Sequence, residues 1–342
     1  MQLHLVLPGL LWPRKVLRDT ASDLDLPALS WLLGRGHLSW LPPHAPESPE
    51  SALCRAFGLD GAAPPYAALR LLGEGAPPGD DVWLCADPVH LSIEQRRVTL
   101  ANNAPPASPE EIREIVSALS PHFAEVGEFV AGADGHGYLR LTQMPDIATV
   151  PPSIAAGYDA MLPQGANATL WRRLGNEAQM LMHALPCNEL RERNGQPRLN
   201  SLWFWGPGRL PPSPSVIYER ICGDDPVLRG LARLTGIPLE SASRADALLQ
   251  RPHGRVLLLL DPLLAPTRTY DALRWREALL ELEHTWLKPL LAALRTGRLR
   301  SLRLTALGDE AGFDLVLKHG DLLRFWRRPM PLHELMPAAT KP

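Results

Sequence analysis

NEAQMLMHALPCNELRERNGQPRLNSLWFWGPG, residues 176–208, sets glycines and specific polar residues around a tryptophan-rich run. Met180, Leu181, His183 and Leu185 mark a helical run that Pro186 stops, and Asn188, Arg191 and Arg193 then fall in a loop ending near Gly195. LWFW, residues 202–205, is aromatic and apolar enough for a buried strand, with Gly206 and Gly208 at its C-terminal end. Ligands of open α/β sheets are held at that end of the strands, so the polar residues of this stretch are site candidates.

The same stretch resembles the segment of archaeal-type cofactor-independent phosphoglycerate mutases that reads HPVN, R, G, AN, strand, GxG. The matching positions are Leu185, Pro186, Cys187, Asn188, Arg191 or Arg193, Gly195, Asn200, Gly206 and Gly208. DPVLRGLARLTG, residues 225–236, is similar to that family's DLIRGIARLAG helix, and LPALSWLLGRG, residues 26–36, to its TPNLDRLAARG helix. Three landmarks occur in the family's order, and within the family the chain looks most like the RpfE-type regulatory branch, which is bacterial. The resemblance implies an alkaline-phosphatase-like α/β core sheet with helices on both faces and a small inserted α+β domain. It also implies ligand contacts at Asn188, Arg191, Asn200, Gly206, Gly208 and Arg229, the arginine of the RG helix, where a guanidinium suits a tetrahedral oxyanion.

Composition narrows the classes independently. The chain has 342 residues, 45% of them hydrophobic, enough for one large α/β domain or two domains. With 35 basic and 37 acidic residues, a net charge of -2 gives no long-range pull toward nucleic acid or anionic lipid. HLVLPGLLW is broken by Pro8 and VLLLLDPLL by Asp261 and Pro262, so no run reaches membrane-helix length. The N-terminus has neither the basic region nor the cleavage site of a signal peptide, which makes cytoplasmic residence the expectation. Cys54, Cys85, Cys187 and Cys222 form no CxxC pair and are expected as reduced thiols.

Along the chain, residues 2–7 read as a first strand ended by Pro8 and Gly9, and residues 26–35 as an amphipathic helix. VWLCA reads as a strand, after which the pattern changes. Ser108-Pro109-Glu110-Glu111 marks a helix start, with serine as cap, proline in the first turn and acids facing the dipole. EFVAG and YLRL follow as strands. The expected division is a core over residues 1–86, an inserted α+β domain over 87–147, and the rest of the core over 148–342. VLLLLD has the continuous apolar character of a strand covered on both faces. Residues 270–294 read as a helix that Pro289 kinks or splits. RLRSLRLTAL and FDLVLKH read as a final strand pair, and RFWRRPMPL as a terminal strand with its arginines outward.

The resembled enzymes use two divalent metals to activate a Ser or Thr nucleophile, which calls for carboxylates and imidazoles at strand ends. Against that pattern Pro8 stands where the first Asp belongs. Asp261 matches a second carboxylate, but its imidazole position falls near Ala265. Asp309 with Glu310 occupies the place of a later Asp-His pair, and His319 that of a final histidine. Thr20 and Ser22 are the nearest hydroxyls to the nucleophile, without its flanking residues. The expectation is therefore a phosphoglycerate-mutase-like protein without its bimetal centre, acting as a regulatory or phospho-ligand-binding protein. No cofactor is expected, and any partner is a phosphorylated small molecule or another protein. The alternatives are an active mutase or phosphohydrolase using Mn or Zn through Asp261, Asp309 or His319, and an interaction scaffold without a small-molecule site.

Overall fold

The run QLHLVLPGLL forms strand β1 (Gln2–Leu11), buried along its length after Gln2. A strand covered on both faces belongs in the middle of a sheet. In this computed structural model β1 lies at the centre of seven strands, flanked by β11 (Arg255–Leu259) and β12 (Ser301–Gly308). On the β11 side follow β9 (Arg220–Cys222) and β10 (Leu239–Glu240); on the β12 side follow β13 (Gly312–Lys318) and β2 (His37–Trp40). All pairings from β10 to β12 are parallel, and β13 runs antiparallel to both its neighbours. The described residues are 1–335 except 43–46, 60, 62–63, 95–96, 102–103, 156–161, 242, 309–310 and 325.

The first strand does not end at Pro8 and Gly9 as expected. It continues to Leu11 because the register against β12 shifts between Pro8 and Leu11, and Gly9 takes the φ of 78° that this irregularity requires. A bulge is where a central strand tolerates proline. Leu3, Leu5 and Leu7 share a core with Leu29 and Leu32 of the helix Pro27–Arg35 and with Leu279, Leu290 and Leu294. The expected helix over 270–294 is three pieces: Ala272–Leu282, a π-helical turn Glu283–Leu287, and Lys288–Arg295, with Pro289 in the first turn of the last. The widened turn carries Glu283, fully buried, whose carboxylate accepts from Ala28 N at 2.7 Å and Leu29 N at 3.0 Å. It caps the opening of the helix Pro27–Arg35, which has no capping side chain of its own.

Met1–Ala52, Val216–Asp224 and Gly236–Pro342 make up the unit built on this sheet; Leu53–Ser215 and Asp225–Thr235 make up a second. The second unit's sheet has the order β6-β7-β3-β8, from β3 (Val82–Val89), β6 (Gly127–Ala131), β7 (Gly137–Leu141) and β8 (Ser201–Gly208), all antiparallel. A hairpin of β4 (Leu91–Glu94) and β5 (Arg97–Leu100) stands beside it. The boundary expected at 86/87 thus falls inside β3, and residues on both sides of it share one sheet. The change of pattern there reflects the entry of Asp87 and Pro88 into a continuing strand.

Residues 225–235 join the second unit through two glycines. The helices Tyr66–Gly73 and Pro226–Thr235 cross so closely that a Cβ on Gly73 would lie 1.9 Å from Pro226 O, and one on Gly230 1.9 Å from Leu69 O. The helix at Pro109–Phe123 begins as expected, with a Ser108–Glu111 capping box. Pro186, expected to stop one helix, instead opens the next: Pro186–Arg193 is helical, a position where proline's missing N–H costs nothing. Among the described residues of 324–331 none lies in a strand, and Trp326 is 67% exposed, unlike the packed terminal strand expected. The architecture is mixed α/β on a central sheet, the class expected.

Candidate functional site

The candidate ligand residues all lie in the second unit, where most serve the backbone. Asn188, fully buried, donates through Nδ2 to Met182 O at 2.7 Å and Leu199 O at 2.8 Å, and its Oδ1 accepts from Leu199 N at 2.7 Å. Arg191, 2% exposed, donates to Pro197 O at 2.9 Å, Glu111 Oε2 at 2.8 Å and Pro105 O at 2.5 Å. These two side chains, expected in an anion pocket, are committed to protein partners because the segment they hold would otherwise bury unpaired carbonyls. Asn200 exchanges side-chain hydrogen bonds with both backbone groups of Leu91, at 2.7 and 2.8 Å. Gly206 and Gly208 lie within β8 rather than beyond it. A Cβ on Gly206, at φ 62°, would stand 2.7 Å from Tyr66 Cβ, and one on Gly208 2.6 Å from Pro65 Cα. Arg229 is the exception: its side chain is 30% exposed and its Nη2 donates to Asp134 at 3.2 Å.

Of the candidate metal ligands, Asp261 and His319 lie in the first unit and do not converge. Asp261 follows β11 at the C-terminal edge of the parallel strands, where burial raises its pKa and the charge of Asp224, beyond β9, adds to the rise. His319 follows β13, which runs antiparallel, so Lys318 shares a register row with Ser301, Gln2 and Arg255 at the opposite edge. Six residues of strand separate that row from Asp261, on the order of 20 Å at the usual rise. His319 Nδ1 is instead 2.5 Å from Leu294 O. Thr20 lies in the helix Arg14–Ala21 and Ser22 caps its end; Asp309 and Glu310 lie outside the described residues. Cys187 is no activated nucleophile, since burial and then Glu114 push its thiol up to about 12.

Two buried polar networks carry no signal in sequence spacing. In the second unit, Arg70 donates to both oxygens of Asp87 at 2.7 and 2.8 Å and to Tyr138 Oη at 2.8 Å. Trp205 Nε1 donates to Asp87 Oδ2 at 2.7 Å. Tyr138 in turn donates to Glu74 Oε1 at 2.5 Å, and His136 Nδ1 lies 2.6 Å from the same oxygen. Burial opposes every charge here, yet the Arg70 guanidinium holds Asp87 below the usual carboxylate range, and Asp87 raises Arg70. Burial likewise opposes the Glu74 charge, but hydrogen bonds from His136 and Tyr138 depress its pKa.

In the first unit, Thr305 donates to Asp314, which also accepts from Arg303 at 2.6 Å. His4 Nε2 is 2.8 Å from Thr305 Oγ1, and Nδ1 2.6 Å from Tyr218 Oη. Because the threonine proton goes to the carboxylate, its oxygen accepts from His4 Nε2–H. This chain pins β1, β12 and β13 in register. No sequence motif announces either network, since their members come from separate strands and helices.

No protein-family profile matches the chain, and no curated protein matches it. Among solved structures it is similar to the PH0037 protein from Pyrococcus horikoshii, with a TM-score of 0.55 and 15% identity over 93% of this chain and 87% of that one. The two share a fold. It is also similar to the cofactor-independent phosphoglycerate mutase from Thermoplasma acidophilum, with a TM-score of 0.46 and 17% identity over 98% of this chain and 94% of that one.

Proposed function

We propose that this chain is a phosphoglycerate-mutase-like protein, of the RpfE-type regulatory branch, that has lost bimetal phosphoryl transfer and acts by binding. What supports the family reading is the order of the three sequence landmarks at residues 26–36, 176–208 and 225–236. The observation that carries the loss of chemistry is the separation of Asp261 from His319 across the sheet, together with Pro8 inside β1. A two-metal centre needs its ligands within a few ångströms of two ions about 3.5–4 Å apart. The pKa of Asp261 is raised, moreover, by burial and then by the charge of Asp224, and among the described residues no cluster of metal-ligating side chains includes it. Of the ligand residues, Arg229 alone keeps a partly exposed guanidinium for a phosphorylated metabolite, and Asp134 shares it.

The test is metal quantification after dialysis against Mn and Zn, together with an assay of 3-phosphoglycerate conversion. The expected result is substoichiometric metal and no turnover; two tightly held ions per chain with mutase activity would restore the enzyme reading. Calorimetric titration of 3-phosphoglycerate into wild type and Arg229→Ala separates the binding protein from a scaffold. A binding protein loses about tenfold in affinity on losing one charge-assisted contact. A wild type that binds nothing below millimolar concentration leaves the scaffold.

A further inference from the structure

The first unit holds a second cationic feature, away from the C-terminal strand edge and independent of the function proposed above. Arg35 ends the helix Pro27–Arg35, and Arg295 ends the helix Lys288–Arg295. Their chain continuations lead into the beginnings of β2 and β12, strands that run in the same direction. Both arginines therefore lie toward the N-terminal strand edge, opposite Asp261. They share one aromatic ring: the Arg35 guanidinium carbon is 3.3 Å from the centroid of Trp31, and that of Arg295 is 4.7 Å from it.

Arg35 is only 5% exposed, yet its Nε and Nη1 are buried without any hydrogen-bond partner. Among the described residues, neither arginine has a carboxylate within ion-pair distance. Burial lowers the pKa of Arg35, and the charge of Arg295 lowers it further. Helix C-termini favour cations, and stacking on an indole stabilises a guanidinium. Those two effects explain why arginines are tolerated here. They leave two buried donors unsatisfied and two like charges on one indole, an arrangement that an anion would complete.

We propose that Arg35, Arg295 and Trp31 form a binding site for a small oxyanion of the phosphate class. The anion would bridge the two guanidinium groups, entering from the side of the exposed Arg295, with Trp31 fixing the plane of the Arg35 fork. A phosphate group offers several acceptors at the spacing of guanidinium donors. The ligand is free phosphate or the phosphate group of a small metabolite, and these differ in what lies beyond the shared group.

The experiment follows the thermal unfolding midpoint against sodium phosphate, and separately against glycerol phosphate, with chloride holding ionic strength constant. Wild type, Arg295→Gln and Arg35→Met are compared, with the exposed Arg274→Gln as the control for loss of a surface charge. Saturating phosphate is expected to raise the wild-type midpoint by on the order of 3 °C over chloride. Arg295→Gln and Arg35→Met are expected to weaken the apparent affinity tenfold or more, while Arg274→Gln leaves it unchanged. A larger response to glycerol phosphate assigns the site to metabolites, and a larger response to phosphate assigns it to the free ion. If Arg35→Met does not fold, the exposed Arg295→Gln carries the test alone. No phosphate-specific shift in wild type overturns the proposal. An equal shift in Arg295→Gln overturns it too, as does a shift abolished by Arg274→Gln.

Discussion

Arg70 and Arg35 are both buried arginines stacked on aromatic rings, one in each unit, and they differ in what surrounds them. Arg70 lies 4.7 Å from the ring of Tyr138 and 5.1 Å from that of Trp205, with a bidentate carboxylate in front of it. Arg35 has Trp31 and a second arginine. The same side chain at similar burial is thus a finished structural element in one place and an open valence in the other. A buried guanidinium with a full set of partners holds a fold together; one without them points to something the chain has yet to bind.

The largest test of that contrast is Asp87→Ala. Removing the carboxylate strands the buried Arg70 charge, and the expected loss of unfolding free energy is about 3–5 kcal/mol by denaturant titration. Acid should act on the same network. Asp87 and Glu74 both have folded-state pKa values below their ordinary ones, so the stability they supply is present above about pH 4 and is lost as pH falls through the folded values. An unfolding-midpoint series from pH 7 to 3 should therefore drop more steeply for wild type than for Asp87→Asn. Parallel curves would break the assignment.

Trp205→Phe keeps the ring and removes one donor to Asp87, which still accepts from Arg70. A loss of about 1–2 kcal/mol is expected from the same titration. Arg35→Met should be the mildest. It gives up stacking on Trp31 but removes two unpaired buried donors, so stability should stay within about 1 kcal/mol of wild type or rise. A loss comparable to that of Asp87→Ala would mean that Arg35 is as complete as Arg70, and would remove the contrast.

Much of the local structure was legible because local rules govern it. The Ser108 capping box, the helix Pro27–Arg35, the aromatic strand through Trp203 and Trp205, and the apolar strand before Asp261 all follow from short-range pattern. Misreadings fell where one residue type serves two local roles. Pro186 reads equally as a stop and as a first helical residue, and Pro8 as a strand end and as a bulge. The candidate site was less legible. Asn188 and Arg191 have the polarity of ligand residues, and only their acceptors, Leu199 and Met182 for one and Pro197, Pro105 and Glu111 for the other, reveal that they serve the backbone.

By itself the sequence determined the α/β class, the order of most strands and helices, and a proline rather than a carboxylate at position 8. These depend on periodicity, capping and residue identity, which act over a few neighbours. Tertiary structure alone decided that β13 runs backward and carries His319 to the far edge from Asp261. It alone joined Arg70 to Asp87 and Tyr138, and set Arg35 and Arg295 on one indole with no carboxylate among the described residues in ion-pair distance. Strand direction and the pairing of distant charges depend on which surfaces the whole chain brings together, and no short window of sequence contains both partners.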